Sequence, residues 1–292
     1  MIPFVKSFPF SYGTPAALSP LILRIIAENP GPFTFTGTGT YLIGGTEGVA
    51  VIDPGPENDV HLNAILESAP GPITHIFTTH THRDHSALAP ALKAKTNAPI
   101  YGCAAHPSTP SNAPIALDEG ADFDFQPDHE LLDGDAVSGS GWTLTAISTP
   151  GHAANHLCFH LAEENALFTG DHIMGWSTSV IAPPDGDMAD YMASIEKLLA
   201  RDDDRYYPTH GAPIDKPRPF VEAVKQHRLK RDASILRALT DTPQSIADIT
   251  MSVYIDIDKK LLPAAALNVM AHLDMHVRTG DVRRDGDAYC KA

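Results

Sequence analysis

The sequence predicts an α+β fold in which two β-sheets pack together with helices on their outer faces, followed by a small helical domain. Strand and helix patterns repeat in two halves up to about residue 215, and the pattern then changes to three helices and a hairpin. The charge changes at the same place. Residues 1–214 contain 8 Lys and Arg against 25 Asp and Glu, whereas residues 215–292 contain 13 against 11. We therefore predict one domain over residues 1–215 and a second over 216–292.

In the first half, short apolar runs between Gly-rich turns predict strands, and helical periodicity predicts helices. We expect His61, at the start of the first helix, to be a solvated surface residue. An irregular insertion with four prolines is predicted at 105–130, and its His106 and His129 are expected to be ordinary loop residues. The predicted strands are 21–27, 40–43, 49–52, 73–78 and 100–103, and the predicted helices are 61–69 and 87–96.

The second half and the C-terminal part are predicted in the same way. Strands are expected at 142–147, 157–161, 166–168 and 206–207, with a helix at 187–200. Helices at 220–239, 245–254 and 261–277 precede a hairpin within 281–290, whose turn contains Gly286 between two aspartates. Three helices and a hairpin are the layout of a winged helix.

A dense cluster of polar residues follows the strand predicted at 73–78. Three histidines and one aspartate occur within six residues: His80, His82, Asp84 and His85. The cluster lies on a predicted strand-to-helix loop, and its residue pairs can face two neighbouring positions, so two metal ions fit better than one. Imidazole and carboxylate ligands suit zinc, iron or manganese, and the absence of cysteine from the cluster argues against a closed structural zinc site. The alternative is a set of capping and surface residues on an ordinary loop.

Four further polar residues occur beside Gly or Pro at the ends of apolar or β-branched runs. With the central cluster they form a pattern that resembles the metallo-β-lactamase superfamily, whose five motifs are present in order over about the first 215 residues. The resemblance implies an αββα sandwich with its metals at one edge between the sheets. The four residues are Asp53, His152, Asp171 and His210.

The resemblance also implies the role of each motif residue. Two dications about 3.5–4 Å apart would share a hydroxide that attacks the substrate, so no side-chain nucleophile is required. Zinc is the expected metal, with iron or manganese as alternatives. By this resemblance His80, His82 and His152 bind one ion, Asp84, His85 and His210 bind the second, Asp171 bridges both, and Asp53 orients the ligands from behind.

Three residues are candidates for a direct part in catalysis. Asp84 is one of them, in addition to its role as a ligand. His156 and His172 lie close in sequence to ligands. Either histidine could donate a hydrogen bond to a transition state or leaving group, or could serve as a polar support for its neighbours.

The resemblance narrows the reaction to a few classes. An aspartate at position 171 is typical of glyoxalase II-like thioesterases, lactonases and RNase Z-like nucleases, whereas true β-lactamases carry Cys or Ser there. Ser86 follows His85 where glyoxalase II relatives commonly carry paired glycines. The preferred hypothesis is a hydrolase of a small ester, thioester or lactone. A β-lactamase side activity, or a non-catalytic binding protein that uses its winged helix, is a weaker alternative.

A single-strand endoribonuclease is the alternative enzyme. The superfamily branch with a C-terminal winged helix includes mitochondrial β-lactamase-like endoribonucleases, and it shares the element His227-Arg228 followed by Arg231-Asp232. Arginines near the wing, at positions 278, 283 and 284, fit this alternative, but the predicted helix at 261–277 has no basic cluster. The net charge of −15 also disfavours nucleic acid without excluding it.

Composition limits the remaining possibilities. Apolar residues make up 43% of the chain, which suits a globular protein, and no apolar stretch is long enough to cross a membrane. The N-terminus lacks a secretion signal, and three widely spaced cysteines suit reduced thiols, so we expect a cytoplasmic protein. The expected partner is a small-molecule substrate, with no membrane. The C-terminal domain is expected to pack against the catalytic domain or to form a homodimer.

Overall fold

The structure, a computed structural model, describes residues 2–104, 120–255 and 258–292. Over these ranges the chain forms two mixed sheets that face each other, and a small third sheet near the C-terminus. Part of the predicted insertion, with His106, lies outside the described residues.

The first sheet follows the order of the sequence from β1 to β7 within the described residues. It is antiparallel from β1 to β4 and parallel from β4 to β7. Its strands are β1 (Ala16–Ala17), β2 (Ile22–Ile26), β3 (Gly39–Gly45), β4 (Gly48–Ile52), β5 (Ile73–Thr78), β6 (Ile100–Gly102) and β7 (His129–Glu130).

The second sheet has the order β12-β11-β10-β9-β8, and only β11 and β12 pair in parallel. The small third sheet is antiparallel, with the order β13-β15-β14. These strands are β8 (Ala136–Gly139), β9 (Trp142–Ser148), β10 (Leu157–Leu161), β11 (Ala166–Gly170), β12 (Arg205–Pro208), β13 (Gln244–Ser245), β14 (Val282–Asp285) and β15 (Ala288–Lys291).

Capping residues determine where several helices begin. The side chains of Asn58, Asp187 and Ser245 accept hydrogen bonds from backbone N–H groups in the first turns of α1, α4 and α6. Proline occupies the first turn of α3, α5 and α7. The helices are α1 (Asp59–Ser68), α2 (Arg83–Ser86), α3 (Ala89–Thr96), α4 (Met188–Leu199), α5 (Pro217–Ala238), α6 (Ile246–Val253) and α7 (Leu262–Thr279).

The main core lies between the two large sheets. Phe77 of the first sheet packs edge-on against Trp142 and Phe159 of the second. Tyr41 packs against Phe168 and donates its hydroxyl proton to the carbonyl of residue 208 over 2.6 Å. Burial of these large aromatic surfaces holds the sheets together, with apolar packing as the main stabilising term.

Helices cover the outer face of each sheet. On the first sheet, Leu62 and Ile65 of α1 and Leu92 of α3 pack against the strands. On the second sheet, Tyr191 of α4 and Val224 of α5 lie in a separate cluster over β10 and β11. The predicted αββα sandwich is therefore confirmed.

The C-terminal part is the predicted winged helix. Helices α5, α6 and α7 surround a small core that also contains Val282 and Tyr289 of the β14–β15 hairpin. Helix α5 belongs to two cores, because Phe220 packs against the sandwich and Ile235 packs within the winged helix. The domain boundary at residue 215 stays a prediction.

Several local expectations differ from the structure. The helix predicted at 87–96 begins earlier and is interrupted between α2 and α3, and strand β8 has no counterpart among the predicted strands. The expectation that His61 is solvated is wrong: it is 2% exposed and its Nε2 lies 2.7 Å from Thr40 Oγ1, because α1 turns this side chain toward the sheet. His129 is in β7 rather than a loop, and its ring stacks on Tyr101.

Among the helices in the described ranges, none is long and apolar enough to cross a bilayer.

Candidate metal centre

The polar motifs meet at one edge of the sandwich because they follow strands that end there. Asp53 directly follows β4, and the cluster that starts at Thr79 follows β5, which runs parallel to β4. Asp171 follows β11, and His210 lies just after β12, which runs parallel to β11. Parallel neighbours end at the same edge, so residues from distant parts of the chain converge on one site.

The first group of possible ligands consists of His80, His82 and His152. His82 Nδ1 lies 2.9 Å from His80 Nε2 and 3.1 Å from His152 Nε2. Three imidazole nitrogens this close together can share one cation.

The second group consists of Asp84, His85 and His210. Asp84 Oδ2 lies 3.1 Å from His210 Nε2 and 3.4 Å from His85 Nε2. Asp84 comes from the short helix α2, whose turn presents its carboxylate and the neighbouring His85 ring to the same point. The set combines two imidazoles with one carboxylate.

Asp171 lies between the two groups. Its Oδ1 is 3.5 Å from His210 Nε2 and 3.7 Å from His85 Nε2, and its Oδ2 is 3.8 Å from His152 Nε2. Each carboxylate oxygen therefore faces a different group. This is the position that a ligand shared by two ions requires.

Two buried atoms test whether this site fits a metal ion. His85 Nε2 and Asp171 Oδ1 are buried and have no hydrogen-bond partner among the described residues. A buried polar atom without a partner is costly, and a cation bound by both atoms would satisfy them. The imidazoles and carboxylates of the site are a donor set typical of zinc, iron and manganese.

Asp53 supports the site from behind without facing it. Its carboxylate accepts hydrogen bonds from the backbone N–H and hydroxyl of Thr79, from the hydroxyl of Thr209 and from His85 Nδ1, at 2.8–2.9 Å. The residue has φ of 49°, a left-handed conformation that aspartate tolerates better than most residues. The turn after β4 thus aims this carboxylate at the loops that follow β5 and β12.

Hydrogen bonds also fix which nitrogen of each histidine faces the site. His85 Nδ1 donates to Asp53, His152 Nδ1 donates to the carbonyl of Val180 over 2.7 Å, and His210 Nδ1 donates to the carbonyl of Gly37 over 3.2 Å. In a neutral ring with a protonated Nδ1, the Nε2 lone pair is free, and in these residues it points at the site. Outer partners of this kind orient metal-binding histidines.

The two groups differ in electrostatics. Burial, reinforced by the neighbouring histidines, holds the pKa of His80 well below its usual range and lowers the pKa of His152 to about 4. Burial also opposes protonation of His85, but the carboxylates of Asp84, Asp53 and Asp171 outweigh it and raise the pKa of His85 well above its usual range. The second group is therefore the more negative environment, which favours bound positive charge.

The remaining catalytic candidates lie behind the ligands. His156 is fully buried, its Nε2 accepts the backbone N–H of Asp171 over 3.2 Å, and its Nδ1 lies 2.9 Å from Thr149 Oγ1. His172 is also fully buried, and its ring packs on Tyr191. Burial lowers the pKa of His172 to about 3. Neither ring has exposed surface, and the contacts of His156 fit the alternative of a polar support for its neighbours. That either histidine donates to a leaving group stays a prediction.

The sequence reasoning missed two supporting residues. Thr209 donates its hydroxyl proton to Asp53. Its position directly before His210, in the Pro-Thr-His-Gly motif, is the sequence feature that could have indicated this role. Asp185 lies at the edge of the site, with Oδ2 3.7 Å from His82 Nε2, and nothing in the sequence around it indicates this position.

Known proteins share both parts of this structure. Residues 34–210 match the model of the metallo-beta-lactamase superfamily, and residues 245–290 match that of the beta-lactamase associated winged helix domain. A beta-lactamase-like protein 2 homolog of Caenorhabditis elegans is 35% identical over 274 residues, covering 91% of this chain and 87% of that protein. An atrochrysone carboxyl ACP thioesterase of Paecilomyces divaricatus is 32% identical over 253 residues, covering 82% of this chain and 72% of that protein. A beta-lactamase domain protein from Burkholderia ambifaria has the same fold, with a TM-score of 0.80 at 20% identity over 100% of this chain and 97% of that one.

Proposed function

The chain belongs to the metallo-β-lactamase superfamily of hydrolases, and from that premise we propose that it is a dinuclear metal-dependent hydrolase of small acyl compounds. The observation that carries the proposal is the position of Asp171, whose two carboxylate oxygens face two separate groups of ligands. Esters, thioesters and lactones are the substrate classes, with an acyl thioester as the first to test.

Two ions are proposed to occupy the centre, zinc first, with iron or manganese as alternatives. Bound there, they would supply a water of lowered pKa as nucleophile and polarise the substrate carbonyl. Asp171 would contact both ions. His80, His82 and His152 would hold one ion, and Asp84, His85 and His210 the other.

The protein's own residues support this chemistry in two ways. Asp53 and the carbonyls of Val180 and Gly37 accept the Nδ1 protons of His85, His152 and His210, which aims the Nε2 atoms of these rings at the centre. His82 is the most exposed of the seven proposed ligands, with a side chain 22% exposed, whereas Asp84 and Asp171 are 5% and 7% exposed. Asp84 is also proposed to take a direct part in catalysis, in addition to holding an ion.

Water rather than a side chain is the proposed nucleophile. Burial raises the pKa values of the Cys103 and Cys158 thiols to about 12, so neither is a ready nucleophile. Ser86 is fully buried and donates its hydroxyl proton to the carbonyl of His82. None of these three side chains is available as a nucleophile, which favours attack by water at the metal centre.

A thioester is preferred because a relative of substantial coverage is named as a thioesterase. Two contacts make the ribonuclease alternative weaker. Helix α7, which would read nucleic acid in a winged helix, packs through Ala271 on the same cluster as α4. Arg278 pairs with Asp187 of the sandwich, so this arginine near the wing already has an anionic partner.

The deciding experiment compares turnover of an acyl thioester and a short single-stranded RNA by the zinc-loaded protein. Asp171→Ala is the inactive variant, and Asp133→Ala, which removes a surface carboxylate paired with Lys197, is the matched control. We expect thioester cleavage that is lost in Asp171→Ala and kept in Asp133→Ala. Cleavage of RNA alone, lost in the same variant, would replace the thioesterase proposal with the nuclease alternative.

A further inference from the structure

Arg228 of α5 is a buried cation that contacts residue 179, in the segment beside the metal centre. It is 3% exposed, and within the described residues no carboxylate lies within ion-pair distance. Its guanidinium donates from Nη2 to the carbonyl of Ser179 over 2.5 Å and from Nη1 to Asn268 Oδ1 over 3.1 Å, and it lies 4.9 Å from the ring centre of Tyr191. Burial of a charged group without an opposite charge is costly, so these contacts need a reason.

The segment that Arg228 contacts, residues 179–181, also contacts two ligands of the centre. Ser179 Oγ lies 2.5 Å from the carbonyl oxygen of Asp171. The carbonyl of Val180 accepts the Nδ1 proton of His152. The segment therefore holds the backbone of one ligand and the ring of another.

Asn268 of α7 also contacts this segment, so two helices of the C-terminal part hold it. Its Oδ1 accepts from Arg228 and from the backbone N–H of Ile181 over 3.2 Å, while its Nδ2 donates to the carbonyl of Ala264 in its own helix. Residues 179–181 are thus held at both ends by the winged helix and in the middle by His152.

We propose that Arg228 and Asn268 are positioning residues of the metal centre, which act through residues 179–181 on His152 and Asp171. The winged-helix domain would then complete the metal site of the sandwich rather than serve only as an appendage. The inference rests on the proposed metal function. Arg231 on the same helix has different contacts: it donates to the carbonyl of Val253 and stacks on Tyr254 within the winged helix itself. It is therefore not assigned this role.

The test measures zinc affinity by competition with a chromophoric chelator, in the full-length protein, beside the thermal unfolding of each metal-free variant. Arg228→Met removes the guanidinium and its two hydrogen bonds, and Arg231→Met is its control on the same helix. Asn268→Leu and Asn268→Asp form a matched pair, because both lose the bond to Ala264 but only the aspartate keeps an acceptor for Arg228 and Ile181. The visible spectrum of the cobalt-loaded proteins reports the ligand geometry directly.

We expect about a tenfold or greater loss of zinc affinity in Arg228→Met and Asn268→Leu, with a changed cobalt spectrum. Arg231→Met and Asn268→Asp should stay close to the unchanged protein. If Arg228→Met does not fold, the Asn268 pair decides alone. Unchanged zinc affinity and cobalt spectra in Asn268→Leu would overturn the inference, as would a protein that binds no zinc. A zinc-binding protein that cleaves no thioester would defeat the proposed function and leave this inference intact.

Discussion

His85 Nδ1 and Asp53 Oδ2 are 2.8 Å apart, and neither side chain has any solvent-exposed surface. This contact joins the end of β4 to the short helix α2 that follows β5, and it fixes the nitrogen that His85 presents to the metal centre. A residue that touches no proposed ion thereby controls one of the ligands.

The first prediction concerns this contact. In Asp53→Asn, an amide can reproduce at most part of the four hydrogen bonds that the carboxylate accepts, so His85 should lose its fixed orientation. We expect metal affinity or turnover to fall by about 10–100-fold. Because asparagine tolerates the positive φ of this position, the fold should persist. Zinc titration and circular dichroism measure both effects, and wild-type zinc affinity would contradict the prediction.

The second prediction concerns metal removal. Zinc that binds only the folded state should stabilise it by about 4 kcal/mol when the free concentration is a thousand times the dissociation constant. A chelator should therefore abolish turnover and lower the melting temperature, and added zinc should restore both. In Asp171→Ala the metal-dependent part of the shift should shrink, since the shared carboxylate is missing. Equal melting temperatures with and without zinc in the unchanged protein would argue against a metal centre here.

The third prediction concerns pH and His61. Thr40 donates its hydroxyl proton to the carbonyl of Asp53, so His61 Nε2 donates to Thr40, and His61 Nδ1 is buried without a partner among the described residues. Burial lowers the pKa of His61 from 6.5 to about 4. Below pH 6.5 the unfolded chain therefore binds a proton that the folded state excludes. Exclusion of this proton by His61 therefore contributes to the pH dependence of the free energy of unfolding. This contribution is complete above pH 6.5, is lost as the pH falls to about 4, and amounts to about 3 kcal/mol.

The measurement for His61 is the free energy of unfolding of the metal-free protein by urea at several pH values. His61→Gln keeps a donor for Thr40 but cannot titrate, so its stability should fall less steeply over this window. Parallel curves for the two proteins between pH 6.5 and 4 would show that His61 is not responsible.

The fourth prediction concerns Gly151, which precedes His152 and has φ of 134°. A Cβ atom at this position would lie 2.3 Å from the Cα and 2.4 Å from the backbone N of Tyr191, so α4 or the His152 loop must move. We expect Gly151→Ala to destabilise the protein by about 3 kcal/mol and to weaken zinc binding.

Gly134→Ala is the matched control for Gly151→Ala. Gly134 also has a positive φ, of 89°, but a Cβ there meets no atom within 4 Å. Gly134→Ala should lower the free energy of unfolding only by the backbone strain, about 1–2 kcal/mol, and should leave zinc binding unchanged. Equal losses in the two variants would show that backbone strain, rather than the contact with Tyr191, is responsible.

Much of the architecture follows from local patterns. Apolar runs such as 49–52 and 73–78 identified strands, and the family resemblance of the polar motifs after them implied a site at one edge of the sandwich. These predictions succeed because each strand carries its own pattern and its motif directly follows it. The boundaries of α5 and the extra strand β8 were less accurate, because ends and edge strands depend on packing.

The sequence by itself determined the fold class, the winged helix and the set of residues that converge on the centre. Tertiary structure alone decided the burial of His61, the use of both nitrogens of His156 behind Asp171, and the contact of Arg228 with the carbonyl of Ser179. The physical reason is sequence separation: Arg228 and Ser179 are 49 positions apart. A pattern along the chain shows which residues can form hydrogen bonds, but the packed layers determine which partners they meet.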